Sequence, residues 1–451
     1  MTLTTPTRPH PTKDSPAEST LGSQLAPWIR YRERSLLRQM VATVSRPGVR
    51  SLAGGLPELD LFPSAEIASA LQVALRDDPR ALQYSPAQEA LKEHVVDLVR
   101  RRGVECSVDQ VLLTSGAQQG IDIVTRSLLT HGGSVAVDAM TYPGVLQATA
   151  PLQPRSLSVR GDLEGGLDVE HLEWLLRSGE RPAFLYLIPD AHNPLGVSLA
   201  ADRRIALAEL VQRYRLPILE DDPYGLLCYD GSFAAPVHTL AADRVLYVGS
   251  FSKILAPGLR LGYLVGPPDV VRRLSTIKEA SDLETSGLTQ RAVARLLAEP
   301  GWLDAHLERL HEVYRPRRDA MLVALERHFA GRATWSRPRG GMFVWVELEQ
   351  EVAARSLDTE ELLRRCLDER NVAFLPGRAF VATTGEGEAA GRRSMRLSFS
   401  SLAPESISEA VEAIADCMKA MESVEEVEEM EVANEMQRES SQKDARKVGR
   451  E

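Results

Sequence analysis

The chain has 451 residues, of which 43% are hydrophobic and 26% charged, enough for a large buried core and more than one domain. Its formal net charge of -10 argues against a general nucleic-acid binder. The four cysteines, Cys106, Cys228, Cys366 and Cys417, lack the spacing of a disulfide framework or a zinc site, no apolar run is long enough to span a bilayer, and the N-terminus lacks the apolar core of a secretion signal. The expectation is a cytoplasmic protein that binds neither metal, nor membrane, nor nucleic acid.

In chain order, residues 1–24 are rich in Pro, Thr and Ser and read as a mobile arm. From Trp28 to Val44 apolar residues recur at roughly helical spacing, and Arg46-Pro-Gly48 stops that helix. Next comes Ser51-Leu-Ala-Gly-Gly-Leu-Pro57, where Gly54 and Gly55 let backbone approach a ligand or simply make a turn. From 64 to 265 strand-like apolar runs alternate with amphipathic helical ones. The strand runs are Val111–Thr114, Ser134–Val137, Ala183–Ile188, Pro217–Glu220, Val245–Val248 and Leu261–Val265. The helical patterns fall at 117–130, 168–178, 200–215 and 268–283. This alternation predicts an α/β fold: a three-layer α/β/α domain with a mainly parallel sheet, whose ligands sit at the carboxyl ends of the strands. After 285 a long helical run, 303–329, and two alternating strands, Gly340–Val346 and Ser394–Phe399, predict a smaller α+β unit. The expected boundaries are an arm at 1–24, a helix and joining segment at 25–62, a large domain at 63–298, a small domain at 299–421 and a charged tail at 422–451.

Each chemically suggestive stretch falls near a predicted strand end. Gly249-Ser-Phe-Ser-Lys-Ile-Leu-Ala-Pro-Gly-Leu-Arg260 places an amine, two hydroxyls and a guanidinium together. Lys253 suits a Schiff base to an aldehyde, Ser250 and Ser252 suit phosphate oxygens, and Arg260 suits their charge. Thr114-Ser-Gly-Ala-Gln-Gln119 joins a strand to a helix, so backbone N–H groups at Gly116, Ala117 and Gln118 form an anion cradle or an ordinary turn. Tyr142, before Pro143, suits stacking on a flat heteroaromatic ring, or plain packing. Asn193, in His192-Asn-Pro-Leu-Gly196, suits a phenolic oxygen or an Asx-type turn. Asp221, in Glu220-Asp-Asp-Pro-Tyr224, ends an apolar strand where a carboxylate needs a partner, and a protonated pyridine nitrogen is one. Tyr224 reaches the same phenolic oxygen as Asn193, while Glu220 and Asp222 face structural partners or solvent. Arg396, on the apolar strand Met395–Phe399, suits bidentate capture of a carboxylate or an inter-domain ion pair.

Taken in order, these stretches resemble a fold-type I, pyridoxal-phosphate-dependent aminotransferase of class I/II, and within it the 2-aminoadipate/kynurenine aminotransferase branch. S-L-A-G-G-L-P, Q-Y-S-P, T-S-G-A-Q-Q, T-Y-P-G, H-N-P-L-G, E-D-D-P-Y, G-S-F-S-K, P-G-L-R-L-G-Y, R-P-R-G-G-M-F-V-W and M-R-L-S-F carry the resemblance, from about residue 38 to 400. It implies pyridoxal 5'-phosphate bound to Lys253, with Asp221 on the pyridinium nitrogen and Asn193 and Tyr224 on the ring oxygen. Tyr142 stacks on the ring, and Ala117, Gln118, Ser250, Ser252 and Arg260 hold the phosphate. Arg396 takes the substrate α-carboxylate with Gly55 nearby. Tyr84 reaches the phosphate of the neighbouring subunit in a homodimer, and Arg38 meets the distal group of the substrate. Two departures stand out. Leu195 replaces the usual threonine, and Ala87-Gln-Glu-Ala-Leu-Lys92 is shorter than the family pattern and lacks its glycine, so the start of that helix differs.

The implied reaction is ping-pong transfer of an amino group from an L-amino acid to a 2-oxo acid, 2-oxoglutarate by expectation. Its rivals are another cofactor-dependent reaction on the same fold (elimination, cyclisation or oxidation) and a cofactor-sensing transcription regulator. A regulator needs a DNA-binding domain upstream, and only about 25 Pro-rich residues precede the first predicted helix.

Overall fold

The computed structural model describes residues 20–30, 48–349, 358–382 and 386–422. The chain divides into two units, Met1–Arg34 and Ser35–Glu451. In the first, two short helical turns, Thr20–Ser23 and Pro27–Arg30, are described, and Arg30 Nη2 donates to the Leu25 carbonyl oxygen at 3.0 Å.

The second unit contains a seven-stranded and a four-stranded sheet. A short strand, β1 (Arg50–Ser51), comes first. The large sheet then takes β2 (Val111–Thr114), β3 (Ser134–Asp138) and β4 (Arg155–Val159). A hairpin of β5 (Gly161–Asp162) and β6 (Gly166–Leu167) precedes β7 (Leu185–Leu187), β8 (Ile218–Asp221), β9 (Val245–Ser250) and β10 (Gly262–Val265). The order across the sheet is β2-β10-β9-β8-β7-β3-β4. All pairs from β9 to β4 are parallel, and β10 runs antiparallel to both neighbours. Strands β7, β8 and β9 are buried at every position, as expected of a sheet covered on both faces.

The predicted helices form at Ala117–Leu128, Val169–Arg177, Ala201–Tyr214 and Pro268–Asp282. Asp168 caps the second of these by accepting from the His171 N–H at 2.9 Å. Edge strand β4 is absent from the predicted set. Its R-S-L-S-V sequence buries only Leu157 and Val159, the half-buried alternation of an edge.

The four-stranded sheet has β11 (Ala333–Trp335), β12 (Phe343–Leu348), β14 (Leu375–Pro376) and β15 (Ser394–Ser398) in the order β11-β12-β15-β14. The predicted strand pair meets here, with Trp345 opposite Arg396 in an antiparallel register. Between them in sequence, β13 (Val372–Ala373) pairs in parallel with β1 as a separate two-stranded sheet, and the Ser398 N–H of β15 donates to the Leu52 carbonyl oxygen at 2.7 Å, tying the segment before Gly54 to the four-stranded sheet. The helix Trp302–Phe329 runs alongside and fixes the next stretch: Arg317 pairs with Glu58 at 2.7 Å, and the Glu58 N–H donates to Tyr314 Oη at 3.0 Å.

The altered stretch after Tyr84 has its own local solution. The helix Glu89–Arg100 starts without a side-chain cap from its own N-terminus, and the Gln88 N–H donates instead to Gln290 Oε1 at 2.7 Å. Neighbouring Arg291 binds Asp78 at 2.6 Å and reaches Ser85 Oγ at 3.4 Å, so helix Gly287–Leu297 anchors both ends of the loop.

Candidate active site

A cavity of about 600 Å³ opens where the carboxyl ends of the large sheet meet the segment 51–56 and the small sheet. Ala117, Gln118, Tyr142, Asn193, Asp221, Tyr224, Ser250, Ser252, Lys253, Arg260, Arg396 and Gly55 all line it. Tyr84 does not; it is 84% exposed on the anchored loop. Arg38 lies outside the described residues.

Lys253 follows β9, and its Nζ donates to the Gly55 carbonyl oxygen at 2.8 Å. Burial, with Arg396 nearby, pulls the amine down to about 8, against an opposing pull from Asp221. The neutral, nucleophilic form of the amine is therefore far more populated near neutral pH than for an ordinary lysine, at about a tenth. Gly55 admits no side chain: a Cβ there would overlap the Phe343 ring.

Asp221 closes β8. The Tyr186 hydroxyl donates to its Oδ2 at 2.7 Å, while Oδ1 is buried with no hydrogen-bond partner among the described residues. Burial, opposed by the Tyr186 bond and assisted by the charge of Asp222, lifts this carboxyl to about 7. An orphaned carboxylate oxygen in a cavity wall is what a protonated ring nitrogen would satisfy.

Two chain reversals build another part of the cavity wall. The helix Ala117–Leu128 begins after Gly116, which supplies no side-chain cap, so its first N–H groups point outward with the positive end of the helix dipole. Gly116 has φ 84°, and a Cβ there would come within 2.8 Å of Arg260 Nη2. Arg260, itself in the left-handed region at φ 49°, donates from that nitrogen to the Ser115 carbonyl oxygen at 2.9 Å. Ser250 and Ser252 stand with their Oγ atoms 2.9 Å apart. Gln118 accepts from Tyr142 Oη at 3.2 Å and donates to the Gly144 carbonyl oxygen at 2.8 Å, which holds the Tyr142 ring at the cavity wall. Burial raises the Tyr142 phenol to about 12 and pushes Tyr224 up also, so both remain neutral donors.

Arg396 has no carboxylate within ion-pair distance among the described residues, which removes the alternative of an inter-domain ion pair. Its Nη1 donates to Asn193 Oδ1 and its Nη2 to the Ala53 carbonyl oxygen, both at 2.7 Å, and Nε is buried without an acceptor among the described residues. Phe343 and Phe380 hold the guanidinium at 4.0 and 4.9 Å from their ring centres. Burial draws Arg396 down to about 9. A buried cation with neutral partners and a spare donor is a receptor for an anion. The bond from Arg396 also turns the Asn193 carbonyl oxygen away, leaving the amide N–H₂ of Asn193 as its free end.

Sequence reading missed Tyr186, Phe343, Phe380 and the Ala53 carbonyl. Tyr186 carried one usable signal: a phenol within the uninterrupted apolar run 183–188 must find a partner when buried. Glu220 and Asp222, by contrast, face structural partners as expected. Glu220 accepts from the Val237 and His238 N–H groups at 2.7 and 2.8 Å; Asp222 Oδ2 accepts from Tyr247 Oη at 2.7 Å and Arg102 Nε at 3.1 Å.

An amine, an orphaned carboxylate oxygen, an uncapped helix N-terminus with hydroxyls and a guanidinium, and an aromatic wall are the parts that fit pyridoxal 5'-phosphate. The family model for aminotransferase class I and II matches residues 52–414. A 2-aminoadipate transaminase of Thermus thermophilus is 38% identical over 86% of this chain and 94% of its own length. Aromatic-amino-acid aminotransferase 1 of Thermococcus litoralis is 35% identical over 85% of this chain and 91% of its own. Among solved structures, the alpha-aminoadipate aminotransferase LysN of Thermus thermophilus, complexed with N-(5'-phosphopyridoxyl)-L-leucine, superposes with a TM-score of 0.81 at 36% identity, covering 90% of this chain and 100% of that one. The chain belongs to the class I and II aminotransferases, fold-type I enzymes that transfer amino groups with pyridoxal 5'-phosphate.

Proposed function

We propose that the cavity carries out a ping-pong transamination in which an L-amino acid gives its amino group to the enzyme and a 2-oxo acid, 2-oxoglutarate first among them, takes it away. The observation that carries this reading is the convergence on one cavity of a buried amine, a carboxylate with a free oxygen and a guanidinium with a free N–H. When bound, pyridoxal phosphate supplies the electron sink for the pair left behind as the substrate α-proton departs.

The chain's residues do the rest. Lys253 would hold the cofactor covalently, and once the substrate amine has taken its place the freed Nζ would take the proton from the substrate α-carbon and serve as the proton carrier of the transfer. Asp221 Oδ1 would keep the ring nitrogen protonated, and the amide of Asn193 and the Tyr224 hydroxyl would bond the ring oxygen. The Ala117 and Gln118 N–H groups, Ser250, Ser252 and Arg260 would bind the phosphate, and Tyr142 would stack on the ring. Arg396 binds the α-carboxylate, orienting the α-hydrogen toward Lys253.

Arg38 is assigned to the distal group of the substrate, and Tyr84 to the phosphate of a second copy in a homodimer. Support for Tyr84 is its exposure outside its own cavity on a loop tied down at Asp78, Ser85 and Gln88. The large domain is placed at 63–298 and the small one at 299–421, and the location in the cytoplasm.

The test is single-turnover spectroscopy of the loaded protein with a panel of acidic, aromatic and branched L-amino acids and no oxo acid. The absorbance of the lysine-bound cofactor should convert to that of pyridoxamine phosphate, with one equivalent of 2-oxo acid formed. Ammonia release without pyridoxamine phosphate would overturn the assignment. Mixed dimers of Lys253→Ala and Tyr84→Ala chains should recover activity that neither variant has alone, since one site per dimer is intact. No recovery in mixed dimers would remove the role given to Tyr84.

A further inference from the structure

Tyr186 sits on β7 directly opposite Leu219 of β8, so Asp221, two residues further along, lies on the same face of the sheet. Its ring is fully buried among apolar residues, including Ile121, Val137, Leu219 and Val248. Among the described residues its hydroxyl makes one bond, to Asp221 Oδ2 at 2.7 Å, and Tyr186 does not line the cavity. Burying a phenol here without an acceptor would be costly. The same bond spends one of the two carboxylate oxygens of Asp221 and leaves Oδ1 open.

We propose that Tyr186 is a positioning residue for the cofactor: it fixes the Asp221 carboxylate so that Oδ1 alone would meet the ring nitrogen, and it favours the ionised form of that carboxylate. The proposal rests on the cofactor reading of the site given above. The other titratable groups around Asp221 do not supply the hydrogen bond that Tyr186 does. Asp222, next in the chain, is an anion and opposes ionisation; Tyr142 and Tyr224, from the loops after β3 and β8, are neutral; Lys253, after β9, favours the ionised form through its charge but donates its hydrogen bond to Gly55. Tyr186 is the group that hydrogen-bonds the carboxylate, and a hydrogen bond to an ionised group favours the ionised form.

The test is equilibrium binding of pyridoxal phosphate, and of its 1-deaza analogue lacking the ring nitrogen, to cofactor-free wild-type, Tyr186→Phe, Asp221→Asn and doubly substituted protein. Tyr186→Phe should weaken pyridoxal phosphate binding roughly 10- to 100-fold, the worth of one hydrogen bond to a charged group. It should leave the deaza analogue unaffected, and in the Asp221→Asn background it should add no loss. The pH below which pyridoxal phosphate affinity falls should also move upward in Tyr186→Phe, because Asp221 then takes a proton more readily. Equal loss for both ligands, or loss that persists in the Asp221→Asn background, would show mere packing and overturn the proposal, as would no loss at all. If Tyr186→Phe does not fold, Tyr186→His, which retains a donor, carries the same comparison: a preserved preference for pyridoxal phosphate over the analogue supports the proposal, and an abolished preference overturns it. Failure of the wild-type protein to bind either ligand would bring down the cofactor reading itself, an outcome distinct from a wild-type preference that Tyr186→Phe leaves unchanged.

Discussion

Two buried aspartates near the carboxyl ends of the same sheet have opposite fates. Asp190, beyond β7, is bonded through both oxygens: Oδ1 to Arg204 Nη2 and Oδ2 to Arg102 Nη2, each at 2.6 Å. Both arginines are themselves buried, and each also reaches backbone carbonyls, so helix Ala201–Tyr214, the end of helix Glu89–Arg100 and the 234–235 loop are joined at one point. Asp221, at the end of the adjacent strand, has one tyrosine hydroxyl and one free oxygen. The first aspartate is hydrogen-bonded at both oxygens and holds elements together; the second is held in place but left incomplete. Burial is common to both, so burial alone does not mark a site. What marks it is a buried charge whose compensation the protein has withheld.

Three measurements sharpen or break that contrast. The largest effect belongs to the cavity: Lys253→Ala should lower transamination by roughly 10⁴-fold or more while leaving unfolding by urea nearly unchanged, since it removes the nucleophile and the proton carrier together. Retention of the lysine-bound absorbance in that variant would place the cofactor on another residue.

Next, Asp190→Ala should destabilise the protein by about 3–5 kcal/mol, because it leaves the buried Arg204 without a carboxylate partner among the described residues and Arg102 with Asp222 alone, and the folded fraction should keep its KM for substrate. A stable Asp190→Ala protein with impaired binding would mean that the Asp190 network belongs functionally to the cavity.

The smallest effect is the pH dependence of Asp221. Its carboxyl is raised from 3.8 to about 7 in the folded, cofactor-free protein. Between those values the folded state binds more protons than the unfolded one, so the stability assigned to Asp221 falls as pH rises through that window. Asp221→Asn should therefore gain on the wild type from about pH 4 to 7, by on the order of 2 kcal/mol. That is about half of the full rise at about 1.4 kcal/mol per pKa unit, because the cavity admits water. Lys253, lowered from 10.5 to about 8, acts with the opposite slope and only above about pH 8, so the two windows separate. A flat difference from pH 4 to 7 would show that Asp221 is already compensated in the cofactor-free protein.

Much of the fold and the cavity was legible because the information was local. The apolar runs became β2, β3, β7, β8, β9 and β10 nearly as read, since continuous burial leaves an unbroken apolar signature. Edge strand β4 escaped because only two of its five residues are buried. The anchoring of the shortened loop by Gln290 and Arg291 also escaped, because the partners lie more than 200 residues away. Asp221 and Arg396 stood out as charges on apolar strands, whereas Tyr186 read as core because its ring is core and only its hydroxyl is not.

The sequence by itself determined which chemical groups the chain owns and which strand ends carry them, because strand runs and turn residues declare themselves within a few positions. Only the tertiary structure decided the partners: Lys253 with the Gly55 carbonyl, Arg396 with Asn193 and Ala53, and Asp221 with Tyr186. Those bonds span 198, 203, 343 and 35 residues, and depend on strand register and on how the segment 51–56 lies between the two sheets. A hydrogen bond needs an approach of about 3 Å. No local pattern encodes such a distance between residues so far apart in the chain.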